Sequence, residues 1–355
     1  MVVQTPPHAE PPTDTVPAVS QADPPPGLAI LQMVAEYTTS SLFLHVGELG
    51  LPELLMDGPR SVDELAQAVH VDPQALCRVL RLLASNGVFT EVSPGSFGQS
   101  PVSDTLRIFR ALRACTQLPN ILHTGRSGFE LAFGMSAFEY FDRHPSESAI
   151  FDRNQELLIG AASDVIAKCA YDWSTVSRVL DIGGGTGTLL SAILATNSYL
   201  SGVIFEREVV AADARAAIAE RGLGSRCQVV AGDFFQRVPP FDADVAILSH
   251  ILHDWDDEHA LRILRNTRAV MRPNDRLLVV EAVLPPGDGP HPSKLMDVAM
   301  LVWSEGRERT LDEYRDLLAS AGLELGRVAT LPPNPRGLSL IEAVIATDQV
   351  QAEFE

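Results

Sequence analysis

The sequence predicts an α/β protein with a Rossmann-like doubly wound sheet, preceded by an N-terminal helical domain of the winged-helix type. The apolar run 179–182 breaks into a glycine cluster at 183–187, which is typical of a buried strand that turns sharply into a helix. From Tyr171 onward, apolar runs alternate with helical patterns almost to the end of the chain. Upstream, three helical segments followed by a short hairpin predict the winged helix.

The composition is that of a large, acidic protein. At 355 residues and 46% apolar content, the chain can bury a large core and is long enough for two domains. Its formal net charge of −19 argues against nucleic acid or an anionic membrane as a partner. The four cysteines have no paired spacing, and no signal peptide or membrane-spanning run is recognisable. We therefore expect reduced thiols in a soluble, cytoplasmic protein.

The N-terminal part divides into a tail and a domain. Residues 1–26, rich in Pro, Ala and Thr, cannot offset the entropy of ordering and are predicted to be disordered. Residues 27–105 contain the helix start signals Ser61–Glu64 and Asp72–Pro73 and the stop signal Gly87, followed by the hairpin. This pattern predicts that the winged helix occupies the second segment.

The charge of the winged helix bears on its function. Between Leu28 and Arg107 there are nine acidic residues against four arginines, Arg60, Arg78, Arg81 and Arg107. Phosphate binding needs the opposite balance. A dimerisation or lid domain is therefore favoured over a DNA-binding domain.

The rest of the chain forms two further regions. Residues 106–172 are predicted to be helices with clustered aromatic side chains, which suit either a core or a pocket for a flat substrate. Residues 173–348 are predicted to form the α/β domain, closed by strands at 326–331 and 338–346.

The glycine cluster is a candidate nucleotide-binding loop. Glycines let the backbone approach a ligand closely, and the start of the following helix offers free N–H groups. Thr188 stands where the dinucleotide pattern G-x-G-x-x-G has its last glycine, so a nucleoside without a pyrophosphate fits better than NAD. The alternative is a tight turn that binds no ligand.

Two carboxylates and an aromatic ring follow at the ends of the next strands. Glu206 ends a strand roughly twenty residues past the loop, where such folds bind a ribose diol. Asp233 ends the following strand and could accept a hydrogen bond from an exocyclic amine, and Phe234 could line an adenine face. Because the strand ends of a doubly wound sheet face one crevice, we expect these side chains to lie together.

A candidate base lies just past the strand 243–248. His253 follows that strand at the sheet edge where ligands bind, although a lone histidine is as often structural. Glu281, at the end of the next strand, or Glu308 could orient the imidazole and raise its pKa. Glu308 could instead belong to an ion-paired helix start. We expect His250 to point away from the crevice.

These residues resemble the class I S-adenosylmethionine-dependent O-methyltransferases of the caffeate and hydroxyneurate type, including bacterial enzymes that tailor aromatic antibiotics. The resemblance extends from Leu28 to Ala346. It rests on the glycine strand and on the segments YDWS at 171–174, GDFF at 232–235, HDW at 253–255, EAVLP at 281–285 and GRERT at 306–310.

The resemblance implies a cofactor, a mechanism and an assembly. The residues around S-adenosyl-L-methionine would be Gly183, Glu206, Asp233, Phe234 and Ser249. His253 would be the catalytic base, flanked by Glu281 and Glu308, with no metal. The substrate would be an aromatic small molecule, and the winged helix would form a homodimer and lend a wall to the partner's substrate pocket.

The sequence departs from the family in three places. Ser249 replaces a lysine that plant relatives use near the methionine carboxylate, and Glu206 stands where many relatives have Asp. The stretch 107–124 is shorter than usual, which bears on the shape of the pocket. By family position, the residues expected to line the pocket are Phe138, Met296, Met300 and Trp303.

The predicted function is therefore methylation of a hydroxyl on an aromatic small molecule, in the biosynthesis of an antibiotic or another polyketide-like secondary metabolite. One alternative is a relative that binds the cofactor for other chemistry, such as hydroxylation or decarboxylation. Another is a winged-helix regulator that senses S-adenosylmethionine. The presence of His253 favours methyl transfer.

Overall fold

The computed structural model describes residues 25–106, 109–332, 334 and 336–346. The predicted disordered tail, residues 1–26, lies outside these ranges except for its last two residues, at which the first helix begins. None of the described helices is long and apolar enough to cross a membrane.

The N-terminal region has the helices and the hairpin that the sequence predicts. Its elements are α1 (Pro26–Glu48), α2 (Leu51–Leu54), β1 (Arg60–Ser61), α3 (Val62–Val69), α4 (Pro73–Ser85), β2 (Phe89–Ser93) and β3 (Ser96–Gln99). Ser61 and Glu64 form a capping box at the start of α3. The short strand β1 adds to the hairpin, which gives an antiparallel sheet of order β1-β3-β2. Leucines of α3 and α4 pack with Phe89 and Phe97 in the core of this region.

A helical region follows. Its helices are α5 (Pro101–Thr105), α6 (Phe109–Leu112), α7 (Leu118–Thr124), α8 (Gly128–Phe133), α9 (Ala137–Arg143) and α10 (Pro145–Val165). The clustered aromatic residues surround Phe129, whose ring centroid lies 5.2 to 6.0 Å from those of Phe133, Tyr140, Phe141 and Trp303. Phe129 is fully buried, so the centre of this cluster is core, whereas Phe133 and Tyr140 also line a cavity of about 970 Å³.

The remaining chain forms an α/β region with a mixed sheet. Its strands are β4 (Arg178–Ile182), β5 (Ser201–Glu206), β6 (Cys227–Ala231), β7 (Val245–Ser249), β8 (Arg276–Leu284), β9 (Arg309–Thr310), β10 (Leu323–Thr330) and β11 (Leu338–Ile345). Its helices are α11 (Thr188–Thr196), α12 (Glu208–Glu220), α13 (Asp257–Arg268), α14 (Pro292–Trp303) and α15 (Leu311–Ser320). The first closing strand starts earlier than predicted, at Leu323, and its pairing with β11 shifts register between Leu325 and Val328.

The strand order places a crevice at the end of β4. The order is β10-β11-β8-β7-β4-β5-β6, parallel from β8 to β6 and antiparallel at β11 and β10. The chain proceeds outward from β4 in one direction through β5 and β6 and in the other through β7 and β8, and ligands bind at such a switch point. One buried core includes α10 and α11, and a second includes α13 and α15. The predicted doubly wound sheet is thereby confirmed.

Candidate functional site

The glycine cluster forms the turn from β4 into α11. Gly183, Gly185 and Gly187 have φ angles of 71°, 54° and 80°, which residues with a Cβ rarely adopt. A Cβ on Gly183 would overlap Ile251, and one on Gly187 would overlap Ile204. A Cβ on Gly185 would meet nothing within 4 Å. Gly185 is therefore the member of the loop that faces open space.

Two carboxylates lie at the same edge of the sheet as this loop. Glu206 Oε2 accepts a hydrogen bond from the Gly185 N–H (3.0 Å), and its Oε1 accepts one from the Arg207 N–H (2.7 Å). Asp233, which is exposed, accepts one from the Phe235 N–H (2.8 Å). Each carboxylate oxygen has a second lone pair for a ligand donor.

Phe234 lies over the start of the glycine loop. Its ring carbon Cε1 is 3.6 Å from the position that a Cβ on Gly183 would occupy. The side chain of Asn266 donates to the Phe234 carbonyl oxygen (2.7 Å), which fixes the main chain at this point. The structure thus brings Gly183, Glu206, Asp233 and Phe234 to one crevice.

Asp181 is a residue of this crevice that our sequence reasoning did not single out. It lies on β4 with 1% of its surface exposed, and its carboxylate oxygens make no hydrogen bond within the described residues. Burial raises its pKa to about 7, and the nearby charge of Glu206 contributes to the rise. The only signal in the sequence is a single acid within an apolar strand.

Ser249 and His250 end β7. The Ser249 Oγ lies 3.1 Å from the His250 Nδ1. The expectation that His250 points away is wrong, because its ring centroid is only 5.7 Å from that of His253. The reason is local: His250 adopts a left-handed φ of 55°, which turns the chain at this residue. Burial lowers its pKa well below the usual 6.5, and the charges of His253 and Arg336 add to this effect, so the ring is neutral.

His253 is held by two glutamates. It is buried in a short 3-10 turn, and its Nδ1 lies 2.9 Å from Glu308 Oε1 and 3.4 Å from Glu281 Oε2. Both glutamates are buried as well. With Nδ1 committed to the glutamates, the other nitrogen, Nε2, is left for a substrate. Asp254, the next residue in the sequence, was not predicted to belong to the site. Its Oδ1 lies 3.7 Å from Nε2, which is too far for a hydrogen bond.

Buried hydrogen bonds fix the turn that carries His253. Glu281 Oε1 accepts from the N–H groups of Ile251 and Leu252 at 2.9 and 2.8 Å. The fully buried Arg309 donates to the carbonyl oxygens of Leu252 and Trp255, both at 2.8 Å. The position of the imidazole is therefore set by its main chain as well as by its side-chain partners.

The ion-paired alternative for Glu308 is wrong. Its neighbours Arg307 and Arg309 both pair with Asp257, at 3.1 and 2.9 Å. Glu308 itself binds His253. The helix start that follows is capped by Thr310 and Glu313 without it.

The carboxylates reverse the effect of burial on the imidazole. Burial alone would lower the pKa of His253, but the charges of Glu281 and Asp254 and the hydrogen bond with Glu308 raise it to about 10. Burial raises the pKa of Glu281 to about 7, although the charge of His253 opposes this. His253 is therefore a much stronger base than an ordinary histidine.

The four expected pocket residues have different surroundings. Phe138 is 39% exposed and stacks on Trp255, with ring centroids 5.7 Å apart and planes at 11°. Met296 is half-buried on α14, and Met300 is buried. Trp303 belongs to the aromatic core, 5.2 Å from Phe129.

One hydrogen bond near the crevice, between Arg336 and Gln155, was not predicted from the sequence. The guanidinium of Arg336, in the loop between β10 and β11, donates to Gln155 on α10. The two residues are 181 positions apart, and no local pattern in the sequence relates them.

Two family models match the chain. One, described as an O-methyltransferase domain, matches residues 116–324, and the other, an O-methyltransferase dimerisation domain, matches residues 31–107. Together they account for most of the described residues.

Relatives and solved structures agree with these matches. A phenazine O-methyltransferase from Lysobacter antibioticus is 40% identical over 328 residues, which cover 88% of this chain and 95% of that protein. An aclacinomycin 10-hydroxylase from Streptomyces purpurascens is 32% identical over 346 residues, covering 90% and 91%. The crystal structure of an O-methyltransferase from neocarzinostatin biosynthesis, in complex with S-adenosylmethionine and 2-hydroxy-5-methyl naphthoic acid, has a TM-score of 0.70 and 30% identity, covering 86% of this chain and 95% of that one.

Proposed function

Because the chain belongs to the S-adenosylmethionine-dependent O-methyltransferases, we propose that it methylates a hydroxyl of an aromatic small molecule with His253 as the general base. The observation that carries this proposal is the contact between the His253 Nδ1 and Glu308, which leaves Nε2 for the acceptor. The relatives include a phenazine O-methyltransferase and an O-methyltransferase from neocarzinostatin biosynthesis, which favours a substrate from secondary metabolism.

The residues at the crevice fit S-adenosylmethionine. Glu206 suits the ribose hydroxyls and Asp233 the adenine amine, because both are acceptors beside the glycine loop. Phe234 offers a face for the adenine ring, and the Ser249 hydroxyl oxygen can accept a hydrogen bond from the amino group of the methionine part.

The cofactor, when bound, supplies an electrophilic methyl group on a positively charged sulfur. The protein must hold the acceptor hydroxyl in line with that group and remove its proton. His253 accepts the proton on Nε2, and Glu281 and Glu308 stabilise the imidazolium that forms. A phenol has a pKa of about 10, like tyrosine. The carboxylates raise the pKa of His253 toward that of a phenol, which favours the proton transfer once the imidazole is unprotonated.

Transfer of a labelled methyl group to a panel of phenols tests the proposal. We expect the wild type to label at least one phenol and His253→Ala to turn over on the order of 100 to 10,000 times more slowly. Calorimetry should show that the variant still binds S-adenosylmethionine. His123→Ala, an exposed histidine on α7, is the matched control and should behave as the wild type.

The hydroxylase relative gives a second candidate, in which the cofactor is bound for chemistry other than methyl transfer. It predicts tight cofactor binding and no labelled product from any phenol. The same experiment therefore distinguishes the two.

For the assembly, we propose a homodimer through residues 27–105. Helix α1 exposes six large apolar side chains, which favour burial against a second copy: Leu28, Ile30, Leu31, Met33, Val34 and Tyr37. The dimerisation-domain match begins within this helix, at residue 31. Sedimentation should give twice the chain mass of 38.4 kDa, and a monomer at micromolar concentration would contradict this assembly.

A further inference from the structure

Arg336 is a buried cation beside the proposed catalytic residues. It is 7% exposed and lies two positions before Leu338, the first residue of β11. In the sheet, Leu338 pairs with Ala282 and Ser339 pairs with Glu281. The guanidinium is therefore carried at the same end of β8 as Glu281, on the side of the crevice away from the glycine loop.

The main chain and the side chain of Arg336 are both held in place. Asn334 Oδ1 accepts from the N–H groups of Arg336 and Leu338, each at 3.1 Å, which closes the loop around Arg336. Gln155 accepts from one end of the guanidinium. The next residue on α10, Glu156, accepts from Thr186 in the glycine loop. Helix α10 thus spans the crevice from the cofactor loop to Arg336.

Two buried nitrogen atoms in this region have no hydrogen-bond partner among the described residues: Nε of Arg336 and Nε2 of His250. The His250 N–H donates to the Val280 carbonyl oxygen (3.1 Å), and Val280 pairs with Leu340 on the strand that follows Arg336. His250 and Arg336 are therefore carried at the same end of β8, on its two sides, and the charge of Arg336 contributes to the lowered pKa of His250. An unsatisfied buried donor is costly, because it loses its hydrogen bonds to water without replacement. These nitrogen atoms are therefore expected to face a ligand group.

Resting on the proposed function, we propose that Arg336 and His250 form a second polar subsite that binds a carbonyl or carboxylate oxygen on the aromatic acceptor. The Arg336 Nε–H can only donate. If the Ser249 hydroxyl donates to Nδ1 of the neutral His250, as their 3.1 Å separation allows, Nε2 carries the proton and donates as well. Two buried donors in this region select an acceptor oxygen. The enzyme then discriminates against phenols that lack such an oxygen, because they would leave both donors unpaired.

Competition among three related acceptors tests this subsite: a naphthol, a hydroxynaphthoate and a hydroxynaphthoquinone. The measured quantity is the ratio of kcat/KM for each oxygen-bearing acceptor to that for the naphthol, in the wild type and in Arg336→Gln. We expect the ratio to fall roughly 10- to 100-fold in the variant, the range for losing a hydrogen bond from a charged donor. Arg327→Gln, an exposed arginine on β10, is the matched control and should leave the ratio unchanged. Comparing the ratio for the hydroxynaphthoate with that for the hydroxynaphthoquinone shows whether a carboxylate or a carbonyl oxygen is bound.

Two results would overturn the inference. An equal loss of kcat/KM with all three acceptors would mean that Arg336 acts only through the charges of Asp254, Glu281 and Glu308. A loss of S-adenosylmethionine affinity in calorimetry, with the ratio unchanged, would mean that Arg336 binds the methionine carboxylate instead. If the wild type methylates none of the three, the proposed function fails for this class, and calorimetric binding of the same compounds to both proteins still decides whether the subsite exists.

Discussion

Gly306 lies against the main chain of His253, so closely that a Cβ at position 306 would overlap the His253 carbonyl oxygen. The segment that carries Glu308 is thus in direct contact with the turn that carries the base. The 2.9 Å contact between the His253 Nδ1 and Glu308 depends on this approach. A glycine at 306 is required for that contact rather than for a special φ angle, because its φ is not in the left-handed region.

Gly306→Ala should therefore disturb the site as well as the fold. The overlap is with backbone, which cannot move as a side chain does, and overpacking of this kind costs roughly 1 to 3 kcal/mol. We expect a lower free energy of unfolding in urea and a lower kcat. Gly224→Ala is the control, since a Cβ there meets nothing within 4 Å. Wild-type stability and turnover in Gly306→Ala would show that the two segments are not tightly coupled.

Asp233→Ala should weaken cofactor binding. Removing an acceptor from a ligand donor costs about 1 to 3 kcal/mol, which corresponds to roughly 5- to 150-fold in Kd. Calorimetry with S-adenosylmethionine measures this. Because Asp233 also accepts from the Phe235 N–H, urea unfolding must accompany the measurement. Asp288→Ala, an exposed acid, is the control, and an unchanged Kd in a folded Asp233 variant would remove this residue from the site.

The predicted crevice followed from the sequence because its residues sit at strand ends. Glu206 ends β5 and Asp233 follows the end of the neighbouring parallel strand β6, and such ends share one edge of a sheet whatever the details of packing. The expectation that Glu281 ends its strand is wrong, because β8 continues to Leu284. Glu281 still lies near His253, because Ser249, the last residue of β7, pairs with Val280.

The parts that the sequence did not predict depend on packing or on single dihedral angles. The direction of His250 follows from its positive φ, which nothing in the local pattern indicates. Glu308 binds His253 rather than a neighbouring arginine because Arg307 and Arg309 both pair with Asp257, a contact that the local sequence pattern does not indicate. The pairing of Arg336 with Gln155 joins a loop and a helix that are distant in sequence.

Metal removal should leave activity intact. The ligand atoms of His253, Glu281 and Glu308 lie within 4.8 Å of one another, a spacing that would also suit a metal ion. In the proposed mechanism these carboxylates instead stabilise the protonated imidazole. Turnover measured after dialysis against a chelator should equal that of the untreated enzyme. A loss that a divalent cation restores would show that the three residues bind a metal.

The pH dependence of turnover follows from the raised pKa of His253. The base must be unprotonated to act, and its pKa is raised from 6.5 to about 10 by its carboxylate neighbours. We expect kcat/KM to rise with pH from neutrality toward 10, rather than to level off above 7.5 as an ordinary histidine would. Glu308→Gln removes one of the stabilising groups, so the rise should shift to lower pH and reach a lower limit. Glu305→Gln, an exposed acid in the same segment, is the control.

The same shift makes a prediction about stability. A histidine whose pKa is higher in the folded than in the unfolded state stabilises the fold fully below its unfolded pKa of about 6.5. This contribution is lost as the pH rises from 6.5 to about 10, where the folded protein also releases the proton. Glu281 has its pKa raised from 4.5 to about 7, so its contribution to the stability of the fold is also lost as the pH rises, between these two values. Urea unfolding of the wild type should therefore show declining stability across this range, and Glu308→Gln a shallower decline between 6.5 and 10. Parallel curves for the two proteins, together with a turnover plateau above pH 7.5, would mean that Glu308 orients the ring without raising its basicity.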